Sequence, residues 1–137
     1  MTPVPPLVSS LYAAVFGLLA AWLTVRVILG RVRTGIQAGD GGDASLAQAI
    51  RAHANFAEQV PLALLLIVLV ETTGAATLFV HGFGIALLAG RAINAWGLSH
   101  SLGPTTPRQA GAGLTILVVA AASLLLLYRA IVFFAYR

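Results

Sequence analysis

Four apolar stretches, each about as long as a membrane-spanning helix, constrain this chain more than any other feature. They cover residues 7–29, 46–72, 76–97 and 108–134 of the 137. A helix needs roughly 20 residues to cross the ~30 Å hydrocarbon layer of a bilayer. Only 9% of the residues are charged, whereas an average soluble domain carries about 25%. The sequence therefore predicts a single-domain, all-α integral membrane protein surrounded by membrane lipids.

The connections between these stretches predict how the helices follow one another. Residues 31–44 are rich in glycine and aspartate and are predicted to form a flexible polar loop. Ser45 then begins the Ser-x-x-Gln pattern of a capping box, which predicts that it caps the second helix. A tight turn follows Glu71, which is expected to be an interfacial charge, and Pro107 is placed to precede the fourth helix. Short connections make successive helices antiparallel, so the prediction is an up-down-up-down four-helix bundle.

The basic residues predict the orientation of the bundle. The chain has no lysine, and its net charge of +4 comes from arginines at the edges of the apolar stretches. Because basic residues favour the cytoplasmic side, the first and third loops are expected in the cytoplasm and both termini on the opposite side. This scattering does not form the basic stripe that a nucleic-acid partner would need. The arginines near those two loops are Arg31, Arg33, Arg51, Arg91 and Arg108, whereas Arg129 and Arg137 lie toward the other side.

A polar motif at the start of the second stretch is the strongest functional signal. At 100° per residue, Arg51, Asn55 and Glu58 fall within about 60° of one another on a helix, and His53 lies roughly opposite. Pro61 follows and removes one backbone donor, which frees a carbonyl group. Charged groups in a membrane helix are functional-site candidates because they are costly unless paired. An ion-pair network that only ties helices together is the alternative interpretation.

Arginines from all four helices are predicted to lie at one level of the membrane. Arg26, Arg51, Arg91 and Arg108 each lie toward the same end of their helix, with few acids nearby. A surplus of guanidinium groups indicates an anionic ligand, because their forked donors match carboxylates and phosphates. Asn94 lies three residues from Arg91, on the same helix face. Two structural alternatives to ligand binding remain. Arg26 could only set the orientation of the protein in the membrane, and Asn94 could only form a hydrogen bond between helices.

Thiol and metal chemistry by the chain itself are not indicated. There is no cysteine, and the three histidines His53, His81 and His100 lack the spacing of a metal site. His81 and His100 are close to predicted turns, where we expect them to be solvated. No metal is predicted.

The Arg-x-His-x-Asn-x-x-Glu pattern from Arg51 to Glu58, followed by a proline-containing apolar helix, resembles the signature of the MAPEG family. These are the membrane-associated proteins in eicosanoid and glutathione metabolism. The resemblance covers nearly the whole chain, including the Gly/Asp-rich first loop, Gly90-Arg91 and the position of Arg108. It indicates a bacterial-type member that resembles microsomal glutathione transferases. The resemblance implies a homotrimer with glutathione, as co-substrate, between adjacent subunits near the cytoplasmic side.

The resemblance also implies roles for individual residues. Arg108 would be catalytic, since it would lower the pKa of the glutathione thiol and stabilise the nucleophilic thiolate. The substrate would be a hydrophobic electrophile or a lipid hydroperoxide that enters from the bilayer. The implied glutathione-binding residues are Arg33, Asn55, Glu58, Arg51, Arg91 and Asn94, and His53 and Pro61 match the motif as structural residues.

Three departures from the family pattern keep other functions open. Catalytic relatives often have histidine where Asn94 stands, and tyrosines where Leu98 and Ala112 stand. Loss of these hydroxyl groups favours a non-catalytic scaffold or sensor of the same fold. A small exporter of cationic drugs is a further alternative. However, such transporters place their carboxylate in the first span, whereas Glu58 is in the second, beside arginines that would repel cations.

Overall fold

Four long helices make up nearly all of the described chain. The computed structural model describes residues 5–100, 103 and 105–136, without the side chains of residues 99 and 100. All four helices are long and apolar enough to cross a membrane, which confirms the all-α membrane fold. No strand occurs among the residues described. The helices are α1 (Leu7–Thr34), α2 (Ala44–Thr72), α3 (Thr77–His100) and α4 (Thr106–Ala135).

The helices run up-down-up-down, with α2 and α3 at the centre. Helix α1 packs against α2 and, over a smaller area, α3, whereas α4 packs against α3 and α2. Within the described residues α1 and α4 do not meet. The bundle has two ends. The terminus end holds the start of α1, the α2–α3 turn and the end of α4, and the loop end holds the α1–α2 and α3–α4 connections. Apolar side chains such as Phe16, Phe56, Ile67 and Leu87 form the core, while many others point outward, where lipid is their solvent.

The first connection is shorter than predicted. Helix α1 continues through Thr34, so Arg31 and Arg33 lie in its last turn, and the prediction of a loop from residue 31 is wrong. Basic side chains are favourable at the negative end of a helix dipole, which explains the extension. Gly35 ends the helix in the left-handed conformation, with φ of 71°. The Arg31 guanidinium then donates to the Ile36 carbonyl, 3.2 Å away, and so holds the loop against the helix end.

The cap of α2 is also not the predicted one. Asp43, not Ser45, is the N-cap, and its Oδ1 accepts from the amide of Leu46 at 2.7 Å. Ser45 lies inside the first turn because the helix starts at Ala44. A carboxylate at this position also interacts favourably with the helix dipole. Pro107 lies within the first turn of α4, after Thr105 as the N-cap.

Glu71 closes the terminus end, a role beyond the predicted interfacial charge. Its side chain is buried, and its two carboxylate oxygens accept from the amides of Val8 at 2.8 Å and Ser9 at 2.7 Å. Helix α1 begins after Pro6, which has no side chain that could cap it. A carboxylate from the end of α2 therefore satisfies the unpaired amides at the start of α1.

Two further contacts stabilise the terminus end. The Tyr12 hydroxyl and His81 Nδ1 are 2.9 Å apart and share a hydrogen bond, which joins α1 to α3. The expectation that His81 is simply solvated is therefore wrong, whereas the side chain of His100 lies outside the described residues. At the α2–α3 turn, the Arg129 guanidinium donates to the carbonyls of Thr73 and Gly74. Helix α4 is thereby attached to the end of α2.

Candidate functional site

The polar stripe of α2 faces away from the rest of the chain. Arg51 and Glu58 are exposed and Asn55 is half-buried, whereas Phe56 and Val60 on the other face belong to the core. Arg51, Asn55 and Glu58 make no hydrogen bond or ion pair with any other residue that the structure describes. The three side chains thus remain available for a ligand or a second subunit.

The other two motif residues have different surroundings. His53 points toward α1, where its Nε2 lies 3.2 Å from the Thr24 hydroxyl. This contact ties α1 to α2 and separates His53 from the α2 stripe. Pro61 is exposed, and α2 continues past it without a break.

Arg91 lies inside the bundle beside neutral partners. It is only 5% exposed, and its Nη1 donates to Gln59 Oε1 at 2.8 Å. Its Nη2 has a long contact of 3.5 Å with Asn94 Oδ1, and its Nε has no partner in the described part of the chain. Gln59 is a site residue that the motif did not include. The signal was its spacing, because Gln59 is three residues after the buried Phe56 and therefore lies toward the core.

Asn94 connects Arg91 to Arg108. Its Nδ2 donates to the backbone carbonyl of Arg108 at 3.1 Å, while its Oδ1 faces Arg91. Hydrogen-bonded contacts thus run from α2 through α3 to α4. A neutral histidine also offers one donor and one acceptor. Asparagine at position 94 can therefore replace histidine as a bridge, although it cannot transfer a proton as histidine does.

Close packing of glycines brings Asn94 and Arg108 together. A Cβ atom on Gly111 would lie 2.5 Å from the carbonyl oxygen of Gly90 and 2.6 Å from the amide of Asn94. Gly97 lies one turn after Asn94 in α3. A Cβ atom there would lie 2.9 Å from the amide of Arg108. Only glycine permits such an approach of two helix backbones. The sequence thus uses small residues to place the first turn of α4 beside α3.

The remaining arginines of the predicted level are spread around the loop end. Arg33 forms an ion pair of 2.9 Å with Asp43, in which the two side chains are 56% and 33% exposed. The Arg26 guanidinium lies 5.0 Å from the centre of the Trp22 ring. Arg108, in the first turn of α4, donates to the Gly103 carbonyl. Among the arginines of the loop end, Asn94 therefore connects Arg91 with Arg108, and it has no described contact with the others.

The positions where the resemblance implies tyrosines are apolar here. Leu98 is buried, and its backbone carbonyl accepts from Gln48 Nε2 at 2.9 Å. Ala112 is half-buried in α4. Neither position supplies a hydroxyl group to the loop end. The residues described also contain no group of three or more metal-ligating side chains.

Comparison with known proteins agrees with this architecture. A model of the MAPEG family matches residues 9–128. The inner membrane protein YecN of Escherichia coli K12 is 41% identical over 96 residues, which cover 70% of this chain and 73% of that protein. The protein of the same name from Escherichia coli O6:H1 matches to the same extent. Four apolar helices and an inner membrane relative make this chain an integral, multi-pass membrane protein. With the family model covering most of its length, the chain belongs to the MAPEG family.

Proposed function

We propose that this protein is a glutathione-dependent transferase or peroxidase that acts on hydrophobic electrophiles or lipid hydroperoxides. The observation that carries the proposal is the outward-facing stripe of Arg51, Asn55 and Glu58 on α2, which has no partner among the residues described. Glutathione carries carboxylates, an amino group and a thiol. An arginine, an amide and a carboxylate side by side are complementary to such a ligand.

The direction of the stripe supports a site between subunits. One chain supplies only one wall, because α2 turns these residues away from its own bundle. In a homotrimer, the neighbouring subunit would close the site. Arg33, exposed at the end of α1, would then meet a carboxylate of glutathione, while Glu58 would accept from its amino group. On the same proposal the loop end faces the cytoplasm, where glutathione is available.

The chemistry depends on Arg108. Its guanidinium and the positive end of the α4 dipole would lower the pKa of the glutathione thiol and stabilise the thiolate. The thiolate would attack the electrophile and form a carbon–sulfur bond as the leaving group departs with its electron pair. With a hydroperoxide, the thiolate would attack the outer oxygen and become a sulfenic acid, while the alkoxide leaves and takes up a proton to give the alcohol. A second glutathione would then attack the sulfenic sulfur, form the disulfide and release water. Arg91 and Asn94 would hold the backbone of Arg108 during these steps.

An apolar groove beside the first turn of α4 is suited to the hydrophobic substrate. It opens between α3 and α4 at the loop end, has a volume of about 480 Å³, and includes Trp96 and Pro107 in its wall. Ligand sites for small molecules typically measure about 300–1,000 Å³. Pro107 precedes Arg108 in the sequence, so a substrate in this groove would enter from the bilayer close to the thiolate.

Thermal unfolding of the purified protein with and without millimolar glutathione tests the binding step. Ligand at 100 times its dissociation constant adds about 2.7 kcal/mol of stability. We expect this shift in the wild type and in Arg26→Ala, a loop-end control, but not in Arg51→Ala, because Arg51 belongs to the outward stripe. Comparing ligand-induced shifts within each variant removes any effect of the substitution on stability alone. Conjugation of a generic electrophile that survives in Arg108→Ala would refute the catalytic role.

A non-catalytic scaffold or sensor is the second candidate, and the apolar side chains of Leu98 and Ala112 favour it. These positions provide no hydroxyl group to orient or activate a thiol. The two functions differ in one measurement. Absence of a glutathione-induced shift at saturating ligand would favour the scaffold, whereas a shift together with turnover of an electrophile would exclude it.

A further inference from the structure

The positive charge of Arg91 is not balanced by any acid of the chain. The two acceptors of its guanidinium, Gln59 and Asn94, are both neutral amides. Of the four acids, Asp40, Asp43 and Glu71 are engaged elsewhere, and Glu58 is exposed without an ion pair. An unpaired charge in a low-dielectric interior costs several kcal/mol. A buried guanidinium with amide partners therefore calls for an anion from outside the chain.

A cavity lies beside this guanidinium. Arg91 and Asn94 line it together with apolar side chains of α1, α2 and α3, and its volume is about 40 Å³. It shares the walls formed by Trp22 and Leu98 with a larger crevice of about 170 Å³, which also includes Arg26 and Gln48. None of the described residues that line either space is acidic. A small ion could thus enter past one arginine and come to rest beside another.

We propose that a small monovalent anion, of the size of chloride, occupies the cavity beside Arg91. The cavity exceeds the roughly 10–15 Å³ that one water molecule needs, but it is far too small for glutathione or a lipid. The guanidinium supplies the charge, and Nη2, whose contact with Asn94 is long at 3.5 Å, supplies a hydrogen bond. The site lies inside a single chain between α1, α2 and α3, so anion binding there requires neither the outward stripe nor glutathione.

Thermal unfolding without glutathione, in sodium chloride or sodium gluconate at equal ionic strength, tests this site. Gluconate is too large for the cavity. We expect chloride to raise the Tm of the wild type by roughly 4 °C at about ten times its dissociation constant. In Gln59→Glu, a carboxylate within the chain would replace the anion, so the Tm in gluconate should rise and the chloride effect should disappear.

Asn55→Asp is the matched control, because it makes the same amide-to-carboxylate change on the exposed stripe four residues away. It should keep the chloride effect. Equal Tm values in the two salts, or a chloride effect that persists in Gln59→Glu or is lost in Asn55→Asp, would overturn the proposal. If Gln59→Glu does not fold, crystals of the wild type soaked in bromide decide the question. An anomalous peak beside Arg91 would support the site, and its absence would exclude it.

Discussion

The two ends of the bundle use arginines and acids in different ways. At the terminus end, Glu71 caps α1 and Arg129 caps the turn after α2, so both charged groups satisfy backbone atoms of the same chain. At the loop end, Arg51 and Glu58 have no partner among the described residues. The one ion pair that these residues form there joins Arg33 to Asp43, and both side chains are at least partly exposed. At the terminus end, these charged side chains bind backbone atoms of the chain itself. At the loop end, charged side chains remain available for a ligand or a neighbouring chain.

The charge balance explains why only one end is a candidate site. Helix ends present unpaired amides and carbonyls, which a charged side chain can satisfy at low cost. The terminus end uses its described charges in this manner. The loop end carries more arginines than acids. Backbone atoms engage Arg31, Arg108 and Asp43 there, but Arg51 and Glu58 have no such contact among the described residues. Its arginines are Arg26, Arg31, Arg33, Arg51, Arg91 and Arg108, and its acids are Asp40, Asp43 and Glu58.

The largest expected effect is disruption of the α3–α4 contact that organises the loop end. In Gly111→Val the new side chain would meet the Gly90 carbonyl, since even a Cβ atom would lie 2.5 Å from that oxygen. We expect a loss of about 3 kcal/mol in unfolding free energy. Gly113→Val is the control, because nothing lies within 4 Å of the Cβ position there. Equal unfolding midpoints for the two variants in a denaturant titration would show that the helices do not cross closely.

Breaking the terminus end should have the second-largest effect. Glu71→Ala removes the acceptor for the amides of Val8 and Ser9, which are then left without a capping group. We expect a loss of about 2 kcal/mol, measured by the same titration. Glu58→Ala should change the stability by less than about 0.5 kcal/mol, because Glu58 is exposed and unpaired. A greater loss in Glu58→Ala than in Glu71→Ala would reverse the comparison between the two ends.

The features that the sequence predicted correctly are those that depend on local pattern. Four spanning helices follow from apolar stretches of sufficient length, and the common face of Arg51, Asn55 and Glu58 follows from helical periodicity, although its outward direction does not. Their exact ends did not follow, since Arg31 and Arg33 continue α1 and the cap of α2 is Asp43 and not Ser45. Basic residues are common in polar loops, but they are also favourable in the last turn of a helix. Composition alone therefore does not show where the helix ends and the loop begins.

Partners distant in the sequence could not be predicted. Glu71 meets Ser9 across 62 residues, and Tyr12 meets His81 across 69. The helix periodicity of one segment carries no information about which residue of another segment lies opposite. The same reason applies to Gln59, whose inward position was predictable but whose partner, Arg91, was not.

The cap of α2 sharpens the comparison at the loop end. Asp43 caps α2 and pairs with Arg33, so its two roles must be separated. Asp43→Ser would keep a capping oxygen and lose the ion pair, whereas Asp43→Ala would lose both. We expect a loss of about 1 kcal/mol for alanine and less than half of that for serine, since exposed ion pairs contribute about 0.2–1 kcal/mol. Equal losses would mean that the ion pair, and not the cap, stabilises this end.

The hydrogen bond between Tyr12 and His81 should give the smallest effect. Tyr12→Phe keeps the ring, which packs against Gly84, but removes the hydroxyl group that faces His81 Nδ1. Side-chain hydrogen bonds between membrane helices contribute about 0.6 kcal/mol on average, and we expect a loss of this size in unfolding free energy. Tyr128→Phe is the control, because Tyr128 is 65% exposed on the outside of α4. If the two variants lose the same stability, the contact between α1 and α3 depends on ring packing alone, and the closure of the terminus end rests on Glu71 and Arg129.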